Sequence, residues 1–171
     1  MGEAPAALHR DMSVVLVTGA GRGLGRATAE AFLADGADLV LHYHASATGA
    51  REVAGQAAAA GRRALVVAGD LTKGEEARRL VATAADAFGR LDVLVNNAGG
   101  IHRSAFGSLT EADWDAMVDV NLKSAFLVTQ AARGQLRRGG PRHRPPRRHA
   151  VHDGAGGGLR RRAVPGVKAR A

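Results

Sequence analysis

The chain predicts an α/β fold built on a doubly wound parallel sheet, and three observations carry that reading. Val14 to Val17 is an unbroken apolar run, as expected of a central parallel strand covered on both faces. The turn Thr18-Gly19-Ala20-Gly21-Arg22-Gly23-Leu24-Gly25 follows at once and opens an alanine-rich helical pattern. Beyond it, short apolar strands alternate with helices of crossover length, the pattern of βαβ units.

The elements follow in order. From Gly23, the apolar residues Leu24, Ala27, Ala31 and Ala34 recur at helical spacing as far as Gly36. Residues 37–43 (ADLVLHY) read as a second strand, and residues 48–60 as a helix stopped by Gly61. Residues 63–67 (RALVV) form a third strand. Thr72 is the expected cap of a helix reaching Phe88, with Glu75 at the capping-box position and Gly89 beyond its end. Residues 91–95 (LDVLV) make a fourth strand. Thr110, with Asp113 three residues on, caps a short helix, and a last helix is expected over 119–133. After Arg133 the patterning stops. This gives a lead at 1–11, disordered with Met12 as a possible native start, and an incomplete dinucleotide-binding domain at 12–133. An Arg/Gly/Pro-rich tail at 134–171 has a composition that cannot bury a core and reads as unstructured.

Charge supports that division. The formal net charge of the 171 residues is +8. Twelve of the 24 Lys and Arg lie at 133–171, beside a single acid, Asp153, so residues 1–132 are mildly acidic. The basic tail alone would give salt-sensitive, non-specific affinity for nucleic acid, and it has no aromatic for base stacking, so a specific nucleic-acid partner is not expected. The chain has no cysteine, which excludes disulfides, thiol catalysis and thiolate metal sites. No apolar run approaches membrane-spanning length, and the N-terminus has no secretory h-region. A cytoplasmic protein without a membrane partner is expected.

The glycine turn is the first candidate site. Its spacing is not G-x-G-x-x-G, because Leu24 stands at the last position; it is T-G-x-x-x-G-x-G, through Gly19, Gly23 and Gly25. Glycines let backbone approach a pyrophosphate, and the helix start points N–H groups at it. Asp70, after the third strand, either accepts a hydrogen bond from an adenine amino group or serves as a helix-start residue beside Thr72. Asn96-Asn97-Ala98-Gly99, after the fourth strand, is either a loop against a flat ligand or a turn. Asn121, inside an apolar helix, marks either a kink holding a water or a satisfied amide. His42 and His44 have metal-ligand spacing with no third ligand suitably spaced, which favours a non-metal reading.

Taken together, these residues resemble the short-chain dehydrogenase/reductase family, particularly its 3-oxoacyl carrier-protein reductase-like members. The resemblance covers about residues 12–133 and rests on TGAGRGLG at 18–25, Asp70-Leu71, NNAG at 96–99 and VNLKSAF at 120–126. It implies a Rossmann-type sheet, of which only the N-terminal part is here. It also implies NAD(P)(H), hydride transfer with a small-molecule carbonyl or alcohol substrate, and a homo-oligomer for an intact homologue. Gly19, Gly23 and Gly25 would take the pyrophosphate turn, and Asp70 with Leu71 the adenine contact. Asn97, Ala98 and Gly99 would lie along the ribose and nicotinamide, and Asn121 would be the catalytic asparagine. Leu24 belongs to the same turn. NADP(H) is expected over NAD(H): residues 42–46 (HYHAS) put no acid at the end of the second strand, and Arg22 is placed to meet a 2′-phosphate.

The family's chemistry needs a serine and a tyrosine four residues before a lysine, and here the sequence departs. The one tyrosine is Tyr43, the tail has no serine, and Val164 stands four before Lys168. The chain is therefore expected to be inactive and marginally folded, with its fourth strand left as an open sheet edge. The alternatives are a nucleotide-binding fragment without catalysis and a basic-tail nucleic-acid binder. The tail has the composition of GC-rich DNA read out of frame. Codons permitted for residues 141–144, read one nucleotide later, yield a Val-Ile-Val-like strand. Val151-His152 yields a serine in the same way, and residues 164–168 yield tyrosine, two residues, serine and lysine. A frameshifted reductase, truncated in effect near residue 134, is the expectation.

Overall fold

The computed structural model describes residues 13–136 apart from Ser104. The lead at 1–11 and the tail from 137 onward, with the frameshift reading placed on it, lie outside the described residues. Four parallel strands, β1 (Val14–Val17), β2 (Asp38–Tyr43), β3 (Ala64–Ala68) and β4 (Val93–Val95), form one sheet in the order β3-β2-β1-β4. The helices are α1 (Gly23–Ala34), α2 (Thr48–Ala59), α3 (Gly74–Phe88), α4 (Glu111–Val118) and α5 (Ser124–Ala132).

The unbroken apolar strands bury both faces. Val15, Val17, Leu39 and Leu41 pack with Ala29 of α1 and Ala50 and Val53 of α2. Val14, Leu16 and Val40 point to the other face, against Leu80 and Val81 of α3 and Val128 of α5. Full burial of each such side chain is worth about 1.5–3 kcal/mol, so the two layers fix the sheet's register as well as its existence. After β3 the chain crosses back past β1 to lay down β4 on its far side. That reversal opens a crevice at the carboxyl ends of β1 and β4, where ligands bind in open α/β sheets.

Four local expectations are revised. Thr72 does not cap α3: Lys73 is the N-cap residue, without a side-chain cap, and the Thr72 hydroxyl is drawn to Asp70 instead. The fourth strand starts at Val93 rather than Leu91, because Leu91 leaves the ladder to bridge Leu136 in parallel. The tail boundary also moves, since residues 134–136 continue from α5 through a turn into that bridge. The helix expected over 119–133 begins as a π-turn, Asp119–Lys123, before α5. The Thr110–Asp113 capping box forms as expected, with Thr110 Oγ1 accepting from the Asp113 N–H at 3.2 Å.

The amino ends of the strands carry a separate ionic cluster. Asp38 accepts from Arg62 and Arg63, and Asp92 from Arg90 and the Val14 N–H. Burial alone would raise the Asp38 pKa, but the Arg63 N–H and the two guanidinium groups outweigh it and hold the carboxyl below its usual value. Asp38 therefore sits at the wrong end of β2 to meet a cofactor.

Candidate cofactor cleft

The strand ends and the turns that leave them enclose a cleft of about 860 Å³. The turn after β1 is its floor. Gly19 and Gly23 have φ of +69° and +54°, the left-handed region that side chains resist, and so the chain can turn sharply into α1. Arg22, the N-cap residue of α1, is extended, its side chain makes no cap hydrogen bond, and the first turn holds no acid. The leading N–H groups of α1 thus face the cleft without a side-chain acceptor, and the positive end of the helix dipole adds to them. These features fit a phosphate.

The close approach of backbone is visible at Gly25. A Cβ built there would lie well under 3.0 Å from both Gly19 O and Asn97 Nδ2. Gly25 is buried and lets α1 press against the loop after β4. That loop is tied to the turn by Thr18. Its hydroxyl donates to Val95 O at 3.1 Å and accepts from the Asn97 and Ala98 N–H groups, both at 2.9 Å. A hydroxyl has one proton and two lone pairs, and here all three are used. Asn97 Nδ2 completes the tie, donating to Thr18 O at 2.9 Å and Gly19 O at 3.3 Å.

The other predicted residues gather round the same space. Arg22, Gly23, Leu24, Asp70, Leu71, Ala98 and Gly99 all line it. Leu24 is 80% exposed, an apolar side chain at the mouth. Asp70 Oδ1 accepts from the Thr72 N–H and hydroxyl, at 3.1 and 2.7 Å. The hydroxyl contact is the main reason that its carboxyl is held below the usual range. Asp70 thus holds the start of the loop into α3, and it also lines the cleft.

Asn121 lies in the π-turn. Its Nδ2 donates to Met117 O and Gly100 O at 2.9 and 3.0 Å, and its Oδ1 accepts from the Gly100 N–H at 3.1 Å. The amide is satisfied, and it fastens the loop beyond Gly99 to the last helical segment. The π-turn accommodates that reach, since a wider turn frees side-chain room at the Met117 carbonyl.

Two contributors were not read as site residues from the sequence. Thr18 opens the glycine-turn motif in the sequence, but no local pattern marks the hydrogen-bonding role of a residue whose partners lie nearly eighty positions away. In the sequence His42 shows metal-type spacing with His44, a non-metal reading is favoured, and the ring is given no role of its own. It is 2% exposed, and both ring nitrogens are engaged: Nδ1 with the Gly19 N–H at 3.2 Å and Nε2 with Gly69 O at 3.0 Å.

Residues 13–141 match the short chain dehydrogenase family. The chain belongs to that family. It is 43% identical over 127 residues to an uncharacterized oxidoreductase of Methylorubrum extorquens, covering 74% of this chain and 51% of the relative. It is 42% identical over 118 residues to the 3-oxoacyl-[acyl-carrier-protein] reductase of Synechocystis sp., covering 69% of this chain and 48% of the relative. The crystal structure of a short chain dehydrogenase from Burkholderia cenocepacia in complex with NADP superposes with a TM-score of 0.73 at 40% identity, over 77% of this chain and 54% of that one. The chain thus spans about half the length of the curated relatives it matches. Among the described residues, no helix is long and apolar enough to cross a membrane.

Proposed function

We propose that the cleft binds NADP(H) and that this short-chain dehydrogenase supplies the cofactor half of a carbonyl or alcohol oxidoreductase. One observation carries this reading. The uncapped start of α1 and the Arg22 side chain open on the same cleft, and the chain leaves β2 there through Tyr43, His44, Ala45 and Ser46, without an acid. An acid at that place would hold a ribose 2′-hydroxyl and repel a 2′-phosphate. The similar Burkholderia cenocepacia dehydrogenase crystallised with NADP lends support.

In this reading Gly19, Gly23 and Gly25 shape the pyrophosphate turn, with Leu24 over it and Arg22 on the 2′-phosphate. Asp70 and Leu71 contact adenine. Asn97, Ala98 and Gly99 lie along the ribose and nicotinamide, with Asn121 behind them as the asparagine of a proton relay. When bound, the nicotinamide exchanges a hydride with a carbonyl carbon. The residues of this chain bind and orient it. The proton donor that such a reduction needs, a tyrosine four residues before a lysine, is not in the sequence, so the chain is a binder without turnover. A small-molecule substrate, a cytoplasmic setting and a homo-oligomeric intact homologue remain part of the proposal.

Two results are expected. Titration of nucleotide fluorescence gives tighter binding of NADPH than of NADH, and Arg22→Ala removes about tenfold of that preference, the worth of one charge-assisted contact at a partly solvated site. Equal affinity for the two nucleotides, unchanged by Arg22→Ala, contradicts the assignment. The same protein oxidises no NADPH with a panel of aldehydes and ketones. Turnover above the uncatalysed rate contradicts the view that the chain lacks its proton donor.

A further inference from the structure

We propose that His42, as a neutral imidazole protonated on Nε2, is the positioning residue that sets the glycine turn for the cofactor by tying the Gly19 N–H to the Gly69 carbonyl. This rests on the cofactor reading of the cleft. The geometry fixes the tautomer. A backbone N–H can only donate, so Nδ1, 3.2 Å from Gly19 N, must be the acceptor. The proton is then on Nε2, which donates to Gly69 O at 3.0 Å. One buried ring therefore joins the first residue of the phosphate turn to the exit of β3, one residue before Asp70. The β2 backbone reinforces the same joint, with the Ala20 N–H on His42 O at 2.7 Å and the Gly69 N–H on Tyr43 O at 3.1 Å. Pyrophosphate and adenine ends of the cleft are thus held in mutual register by the His42 ring together with the β2 backbone beside it.

Protonation breaks this arrangement. With a proton on Nδ1 the ring presents a donor to the Gly19 N–H, and the two repel. Burial and the charged groups facing the ring together set when this happens. His44, just beyond the end of β2, disfavours positive charge on the ring. Asp70 follows Gly69 in the loop, Glu76 and Arg79 of α3 pair with each other over Gly69, and Arg22 lines the same cleft. Burial is the largest influence and pushes the His42 pKa below 6.5, so the neutral form prevails at and above pH 6.5 and is lost only below it. The sign of the effect is diagnostic. A histidine that merely supplied positive charge near a pyrophosphate would strengthen binding on acidification. A positioning histidine weakens it.

The test is NADPH affinity of the full chain between pH 8 and pH 5.5 for wild type, His42→Asn and His42→Leu. Asparagine can place an acceptor where Nδ1 stands and does not titrate; leucine keeps bulk and removes both bonds. The nucleotide's own 2′-phosphate titrates in all three proteins, so the comparison between variants removes its contribution. The expected result at pH 8 is an affinity of His42→Asn between those of wild type and His42→Leu, since asparagine keeps the Gly19 bond and loses the Gly69 one. On acidification to pH 5.5 the wild type loses more affinity than His42→Asn, by less than the roughly tenfold that an unshifted imidazole would give, and His42→Leu is weaker by about tenfold at pH 8. Imidazole ¹⁵N shifts should show the Nε2–H tautomer at pH 8. If His42→Leu does not fold, the wild-type and His42→Asn profiles decide. Parallel profiles for those two proteins, wild-type affinity rising more steeply on acidification, or the Nδ1–H tautomer overturns the proposal while leaving the cofactor reading intact. Wild type that binds no NADPH at pH 8 instead fails the cofactor reading, and this inference with it.

Discussion

Gly25→Ala is expected to destroy nucleotide binding and to lower folding stability by about 3 kcal/mol or more, at the upper end of what overpacking costs. The added methyl would overlap Gly19 O and Asn97 Nδ2 together. Neither neighbour is the free end of a flexible side chain. Gly19 O is backbone of the phosphate turn, and Asn97 Nδ2 is held by two carbonyls. Relief requires α1 to move away from the loop after β4, which breaks the floor of the cleft. Gly55→Ala is the matched control. It lies in α2, and a Cβ there meets nothing within 4 Å. Alanine is the better helix former by about 1 kcal/mol, so this variant should be as stable as wild type or more so. Urea unfolding of both, with NADPH titration, checks the pair. Similar behaviour of the two variants contradicts the packing argument.

Thr18→Val is expected to cost about 1–3 kcal/mol while changing the shape of the side chain very little. The methyl that replaces the hydroxyl strands the Ala98 N–H and weakens the bonding of the Asn97 N–H, which keeps only Val95 O at 3.1 Å. A buried donor left without a partner costs about 1–3 kcal/mol. Thr18→Ser keeps the hydroxyl and should recover most of the loss. Because the bonds join the turn after β1 to the loop after β4, NADPH affinity should fall with stability in the valine variant and return in the serine variant. A valine variant with native stability would mean that the tie between the two loops is carried elsewhere.

These two residues also show how far the sequence could be read. Strands and helices were legible because their signals are local. Val14–Val17 has no polar residue, and two packed faces are the physical reason for that. The glycine turn and Asn97-Ala98-Gly99 were legible as candidates because glycine and asparagine at strand ends are unusual enough to need a reason. The role of Thr18 was not legible, since its partners are fixed by the pairing of β1 with β4. Nor was His42, whose two hydrogen bonds depend on how β2 lies between β1 and β3. Thr72 was misread because the Asp70 carboxylate two residues earlier accepts from both its N–H and its hydroxyl, which keeps Thr72 in the loop, and α3 starts one residue later with Lys73 as N-cap. The π-turn at Asn121 escaped periodicity altogether, since one wide turn hardly disturbs a helical pattern.

The most direct test of the cofactor cleft is to follow the backbone amides of the ¹⁵N-labelled 171-residue chain by NMR as NADP⁺ is added. The account predicts shifts at Gly19, Gly21, Gly23, Gly25, Leu71, Ala98 and Gly99, with Asp38, Arg62 and Arg63 at the opposite end of the sheet unmoved. Shifts confined to Asp38, Arg62 and Arg63, or no shifts at saturating nucleotide, would contradict it.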